Sequence, residues 1–163
     1  MHGDFDHTGN ARYRRERFCS RIVMHRDDLG MVEKGDMYWN RGKPNRVVKA
    51  LAPVLFRFRR LDKFSPDLFV EDGSDLSPHS ADLKVVHLPG YSQDSIGLLT
   101  GEGELFCGDL LINETKQVLN YRITDAPAAR ASLARLQSLR ARSIFHSHGR
   151  QFRMADLTPG VQM

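Results

Sequence analysis

Cysteine is scarce in this 163-residue chain, which carries only Cys19 and Cys107. The two make no C-x-x-C pair and read as free thiols of a reducing compartment, although residue type alone leaves a disulfide between them open. Long apolar runs are missing too. None approaches the roughly 20 residues that a helix needs to cross a bilayer, and no charged-then-apolar leader opens the chain. These absences point to a cytoplasmic protein without a membrane anchor. No internal repeat and no interdomain linker is visible. The length suffices for one core, so residues 1–163 are expected to form a single domain. With 40% apolar and 27% charged residues, the composition is that of a soluble globular protein.

Charge of either sign is modest. The net charge is +4, supplied mostly by arginine in two runs: Arg12, Arg14, Arg15 and Arg17, then Arg57, Arg59 and Arg60. Phe56 and Phe58 interleave with the second run, as a single-strand nucleic-acid binder would require. No nucleic-acid motif follows, so a solvated helix face and an amphipathic segment are the simpler readings, and no nucleic-acid partner is expected.

What the chain does have is a dense polar start. His2, Asp4, Asp6 and His7 fall within six positions. In an extended segment alternate side chains share a face, which groups His2, Asp4 and Asp6, and a turn at Thr8-Gly9 would swing His7 toward them. Imidazole with carboxylate suits zinc, iron or manganese. An exposed polar tail would look the same.

Further on, Asn10 can cap a helix over 11–18. Residues 21–25 read as a strand with His25 at its end, a surface or supporting residue more than a ligand. A short helix follows over about 27–33, weakened by Gly30. Residues 34–45 read as a loop or lid in which Met37, Tyr38 and Trp39 either line a pocket or plug the loop onto the core. Residues 47–58 are ambiguous between helix and strand. Strands are expected at 66–71, 83–87, 95–100, 104–108 and 143–145, with turns at Asp72-Gly73 and Gly101–Gly103. The clearest helix spans 125–142. Asp125 caps it, Pro127 fits its first turn, Leu133, Leu136 and Leu139 mark its apolar face, and Arg140 and Arg142 suit its negative end. Alternation puts His146 and His148 on one side of the last strand. Residues 156–163 look like a tail.

Four stretches together resemble a known family. His2-Gly3-Asp4-Phe5-Asp6-His7-Thr8-Gly9-Asn10 is similar to the H-x-H-x-D-H motif of the metallo-β-lactamase-fold hydrolases, and closer to a branch with Asp at the second His position followed by Thr-Gly-Asn. Leu88-Pro89-Gly90-Tyr91-Ser92 with Ser95-Ile96-Gly97 resembles the family's P-G-H-S/T…G-S-I. Leu105-Phe106-Cys107-Gly108-Asp109 resembles its F-x-G-D, and Phe145-His146-Ser147-His148-Gly149 its P-G-H-G. The likeness runs from residue 1 to about 153. Tyr91 stands where the family places a metal-binding His. The family's first motif normally follows several strands, and here only Met1 precedes it. The fold implied is therefore α/β (α+β): a metallo-β-lactamase-like αββα sandwich, N-terminally truncated.

The resemblance also implies one or two divalent metal ions, zinc first, with iron and manganese as alternatives. One position would use Asp6, His7, Asp109 and His148. The other would use His2, Asp4, Asp109 and the residue that is now Tyr91. Tyrosine binds metal well only as phenolate, against a pKa of about 10, so the first position should fill more readily. Such an ion supplies Lewis acidity and lowers the pKa of water toward about 7, with Asp4 or Asp6 as the catalytic group that orients this water. The implied activity is hydrolysis of a small-molecule ester, thioester, lactone or related bond. An inactive remnant or binding module of the same fold is the alternative, with self-association through exposed strand edges. A basic nucleic-acid-binding module comes third.

Overall fold

The computed structural model describes residues 1–36, 38–39, 45, 47, 51, 63–79, 81–113 and 117–157. The ambiguous segment 47–58, the basic run Arg57, Arg59 and Arg60, Met37 and the last six residues of the tail lie outside the described residues, apart from single positions. The chain divides into two compact units, His2–Val70 and a second formed by Met1 with Glu71–Met163.

In the first unit the opening segment is helical rather than extended. Helix α1 covers Phe5–Thr8, directly after Asp4. Thr8 explains the turn: its hydroxyl donates to the carbonyl of Asp4 at 3.0 Å, and Gly9 N–H closes onto Phe5 O at 2.7 Å. Helix α2, Ala11–Phe18, buries no residue, and Asn10 makes no side-chain cap. It is a polar surface helix, held in part by the Arg12–Glu16 pair at 2.7 Å. Strands β1 (Val23–His25) and β2 (Leu68–Val70) are shorter than expected and pair in parallel. A 3₁₀ turn at Arg26–Asp28 leads into α3, Leu29–Lys34. Met24, Met31, Val32 and Phe64 form a small core that Trp39 packs against. The Trp39 ring lies over Gly30, where a Cβ would come within 2.1 Å of it. Gly30 thus lowers helix propensity but makes room for the indole, and Trp39 takes both roles that the sequence leaves open: it packs on this core and lines a cavity with Arg26, Glu33 and Lys34.

The second unit holds a five-stranded sheet of order β3-β4-β5-β8-β9. Its strands are β3 (Leu83–His87), β4 (Ile96–Thr100), β5 (Glu104–Gly108), β8 (Ser143–His146) and β9 (Phe152–Arg153). All neighbours are antiparallel except β5 and β8. Strands β6 (Leu111–Asn113) and β7 (Gln117–Leu119) form a separate hairpin. The outer edge of β3 is occupied: Val85 N–H donates to Ser74 O at 2.8 Å, and Val85 O accepts from Gly73 N–H at 2.9 Å.

Helix α4 spans Ala126–Ser138. Asp125 accepts from Ala128 N–H at 3.0 Å, as its place before the apolar face suggests. Ala129, Ser132, Leu133 and Leu136 are its buried face, part of a core with Val86, Leu105, Leu111 and Ile144. The helix ends four residues earlier than expected. Leu139 turns to an extended backbone, and Arg142 N–H bonds Gly103 O at 2.6 Å. Arg140 and Arg142 therefore lie past the helix, where the pull of a new strand outweighs helix propensity. Among the described residues no helix is long and apolar enough to cross a membrane.

Candidate functional site

Each unit carries part of the donor set that the sequence singles out. In the first, His2 and Asp4 are buried, each 5% exposed. The His2 ring accepts from Asp4 N–H through Nδ1 at 3.3 Å, and the same nitrogen lies 3.4 Å from Asp4 Oδ2. The α1 turn brings His7 back over His2, ring centroids 4.1 Å apart. His7 Nε2 lies 3.7 Å from the more exposed Asp6. His2, Asp4, Asp6 and His7 thus gather through a helical turn. His25 is separate from this group in its role: it accepts from Asp27 N–H at 3.4 Å and starts the 3₁₀ turn.

The second unit contributes Asp109, His148 and Tyr91. Asp109 follows β5, and the His146–His148 segment closes β8. Two parallel neighbours therefore deliver their side chains at one end of the sheet, an arrangement in which rigid strands fix the roots of functional loops. Asp109 is 2% exposed, and His148 Nε2 lies 3.5 Å from its Oδ2. His146 is turned away from this pair. Its Nε2 bonds Arg150 O at 2.9 Å, and its ring lies near Phe152. Alternation alone leaves the two histidines equivalent; the bond to Arg150 separates them.

Tyr91 sits on a tightly held loop. Gly90 has φ +137°, and a Cβ there would come within 2.5 Å of the Ala129 backbone in α4. Gly90 O accepts from Thr124 and Asp125 N–H at 2.9 and 3.0 Å. Thr124 Oγ1 donates to Tyr91 O at 2.9 Å, and Ser132 Oγ to Pro89 O at 2.6 Å. The buried Tyr91 side chain then lines a cavity of about 220 Å³ with Asp109, His148, Asn120, Tyr121 and Arg122. The phenols of Tyr121 and Tyr91 lie against the Arg122 guanidinium and push its pKa further up. Asn120, Tyr121 and Arg122 were not singled out from the sequence. A polar turn just ahead of a helix cap was their only signal.

These features define a mixed α/β protein with a polar cavity at the ends of parallel strands β5 and β8. The family model described as the metallo-β-lactamase superfamily matches residues 2–148, and the chain belongs to that superfamily. The crystal structure of TTHA1623 in a di-iron-bound form is similar at 26% identity and a TM-score of 0.70, covering 94% of this chain and 70% of that one. The β-lactamase-like protein 2 homolog of Drosophila melanogaster is 30% identical over 106 residues, which is 58% of this chain and 34% of that protein. The hydroxyacylglutathione hydrolase of Francisella tularensis subsp. tularensis (strain WY96-3418) is 40% identical over 53 residues, 32% of this chain and 21% of that protein. The matched stretches span about a third or less of these curated relatives. The α/β, metallo-β-lactamase-like fold expected from the sequence is the fold observed.

Proposed function

We propose that this chain is a metal-dependent hydrolase of a small-molecule ester, thioester, lactone or related bond, and that residues 1–163 act as one domain in it. The observation that carries the reading is the Asp109–His148 pair. A carboxylate only 2% exposed lies 3.5 Å from an imidazole nitrogen, at a cavity at the end of the sheet. Burying a carboxylate is costly unless a cation or hydrogen bonds stabilise it, and imidazole with carboxylate is a donor set that suits divalent zinc, iron or manganese. Superfamily membership, matched from residue 2 to residue 148, supports adding the donors of the first unit to this pair.

In this reading Asp6, His7, Asp109 and His148 would hold one ion, and His2, Asp4 and Asp109 would serve a second. A bound divalent ion would supply Lewis acidity and acidify water. Asp4 or Asp6 would orient that water and take up its proton. The bond from Asp4 N–H to Nδ1 fixes the orientation of the His2 imidazole. Tyr91 offers a phenol where an imidazole is expected, so the second position is the weaker.

Elemental analysis of protein purified without chelator tests this. About one equivalent of a divalent metal is expected, lost in Asp109→Asn and in His148→Ala. Less than about a tenth of an equivalent, including after incubation with zinc, iron or manganese, would overturn it. Tyr91 favours a second reading, a non-catalytic member of the same fold. Under the hydrolase reading Tyr91→His raises metal uptake; under the second it changes nothing.

A further inference from the structure

We propose that Arg122 and Asn120 form an anion-recognition pair that selects a substrate carrying a carboxylate, resting on the hydrolase reading of the neighbouring cavity. Both residues line the cavity of about 220 Å³ that Asp109 and His148 also line. Other arginines have partners: Arg135 pairs with Asp72, Arg153 with Asp156, Arg12 with Glu16 and Arg15 with Asp67, and Arg142 bonds Glu102 O. Among the described residues no carboxylate is paired with Arg122. Its side-chain neighbours are the phenols of Tyr121 and Tyr91, which are uncharged near pH 7. Its positive charge is thus positioned but not neutralised.

Asn120 supplies a second donor. It is buried, at 3% exposure. Its Oδ1 accepts from Arg122 N–H at 2.9 Å, which fixes the orientation of the amide and leaves Nδ2 as the group available to the cavity. A planar guanidinium fork beside an amide N–H matches the two oxygens of a carboxylate. Two features favour a carboxylate over a phosphate. The cavity is smaller than the roughly 300–1,000 Å³ typical of drug-sized ligands, and the Asp109 carboxylate on its wall repels the double charge that a phosphate dianion gathers on one group more than the single charge of one carboxylate group. Ile112 gives the cavity an apolar side for a short carbon chain.

The test is an NMR titration of chelator-dialysed protein with succinate, dimethyl succinate and inorganic phosphate. It follows the Asn120 side-chain amide and the Ile112 methyl groups. Succinate should shift both, and dimethyl succinate should shift neither. Phosphate should bind more weakly than succinate. Arg122→Gln should weaken succinate binding roughly tenfold or more, as expected for loss of a charge-assisted bond. Arg122→Lys should fall between, and Arg130→Gln, on α4, should match the wild type. The proposal is overturned by the absence of a succinate shift in the wild type, by equal affinity in Arg122→Gln, by equal shifts from the diester, or by tighter binding of phosphate. The protein is metal-free throughout, so these outcomes are independent of metal content, which judges the hydrolase reading by itself.

Discussion

Replacing Gly90 by alanine isolates how firmly the Tyr91 loop is seated on α4. A Cβ at Gly90 would lie 2.5 Å from Ala129 Cα, 2.6 Å from its Cβ and 2.7 Å from its N. Ordinary contacts between such atoms are roughly 3.5–4.0 Å, so loop and helix must separate by about 1 Å. Two of the three opposing atoms are helix backbone, and no rotamer change moves them. Overpacking of this kind costs about 1–3 kcal/mol. The positive φ adds about 1–2 kcal/mol for an L-residue. The hydrogen bonds that hold Pro89, Gly90 and Tyr91 to Thr124, Asp125 and Ser132 resist the displacement. Gly90→Ala should therefore destabilise the protein by about 2–5 kcal/mol in urea unfolding. Gly73→Ala is the control: φ is +77°, but nothing lies within 4 Å of its Cβ, so it should show only the backbone cost of about 1–2 kcal/mol. Adding Ala129→Gly to Gly90→Ala should recover little, since it removes one of the three close atoms and costs about 1 kcal/mol as a helix-interior glycine. Equal destabilisation by Gly90→Ala and Gly73→Ala would refute the steric account.

The Asp72–Arg135 pair, with two bonds of 2.8 Å, ties the root of the same loop to α4. Burial works to raise the Asp72 pKa, but the bonds from Arg135 and from His87 N–H outweigh it and hold the carboxyl below its ordinary value. Its contribution is thus present above about pH 3.8 and lost as pH falls through the lower folded value. Asp72→Asn should lose about 0.5–1 kcal/mol at neutral pH and flatten acid unfolding in that window; an unchanged acid limb would refute this. Burial pushes the Cys107 thiol up to about 12, whereas Cys19 is exposed. Folded protein at pH 8 should therefore yield one reactive thiol to an aromatic disulfide reagent and two in denaturant, and two fast thiols in the folded state would contradict that burial.

Strands with unbroken β-branched or alternating segments were legible in the sequence. Leu83–His87 and Glu104–Gly108 have the boundaries expected of them, because pattern and turns agree there. Strands β6 and β7 were not, since three residues each, two of them apolar, give no period to count. The opening segment departs from its pattern for a related reason. Alternation of His2, Asp4 and Asp6 suits a strand, but the Thr8 hydroxyl bond to Asp4 O selects a helical turn, and side-chain capping of this kind carries no periodic signal. Of the candidate site, residue type and spacing single out His2, Asp4, Asp6 and His7, and the family resemblance adds Asp109 and His148; each unit groups its own. Asn120 and Arg122 were not, because a residue becomes a cavity wall only through the packing of distant segments.

One feature of the sheet bears on how closely this site can be reengineered. Between β5 and β8, Phe106 pairs with Phe145 while Gly108 pairs with His146. Strand β5 thus uses two residues where β8 uses one, and Cys107, only 1% exposed, is the extra. Such a bulge acts as a phase shifter: it sets how far Asp109 has advanced when the chain beside it reaches His148. Deleting Cys107 would leave every donor in the sequence and in order, yet it would draw Asp109 back by one position and turn it to the opposite face of the strand.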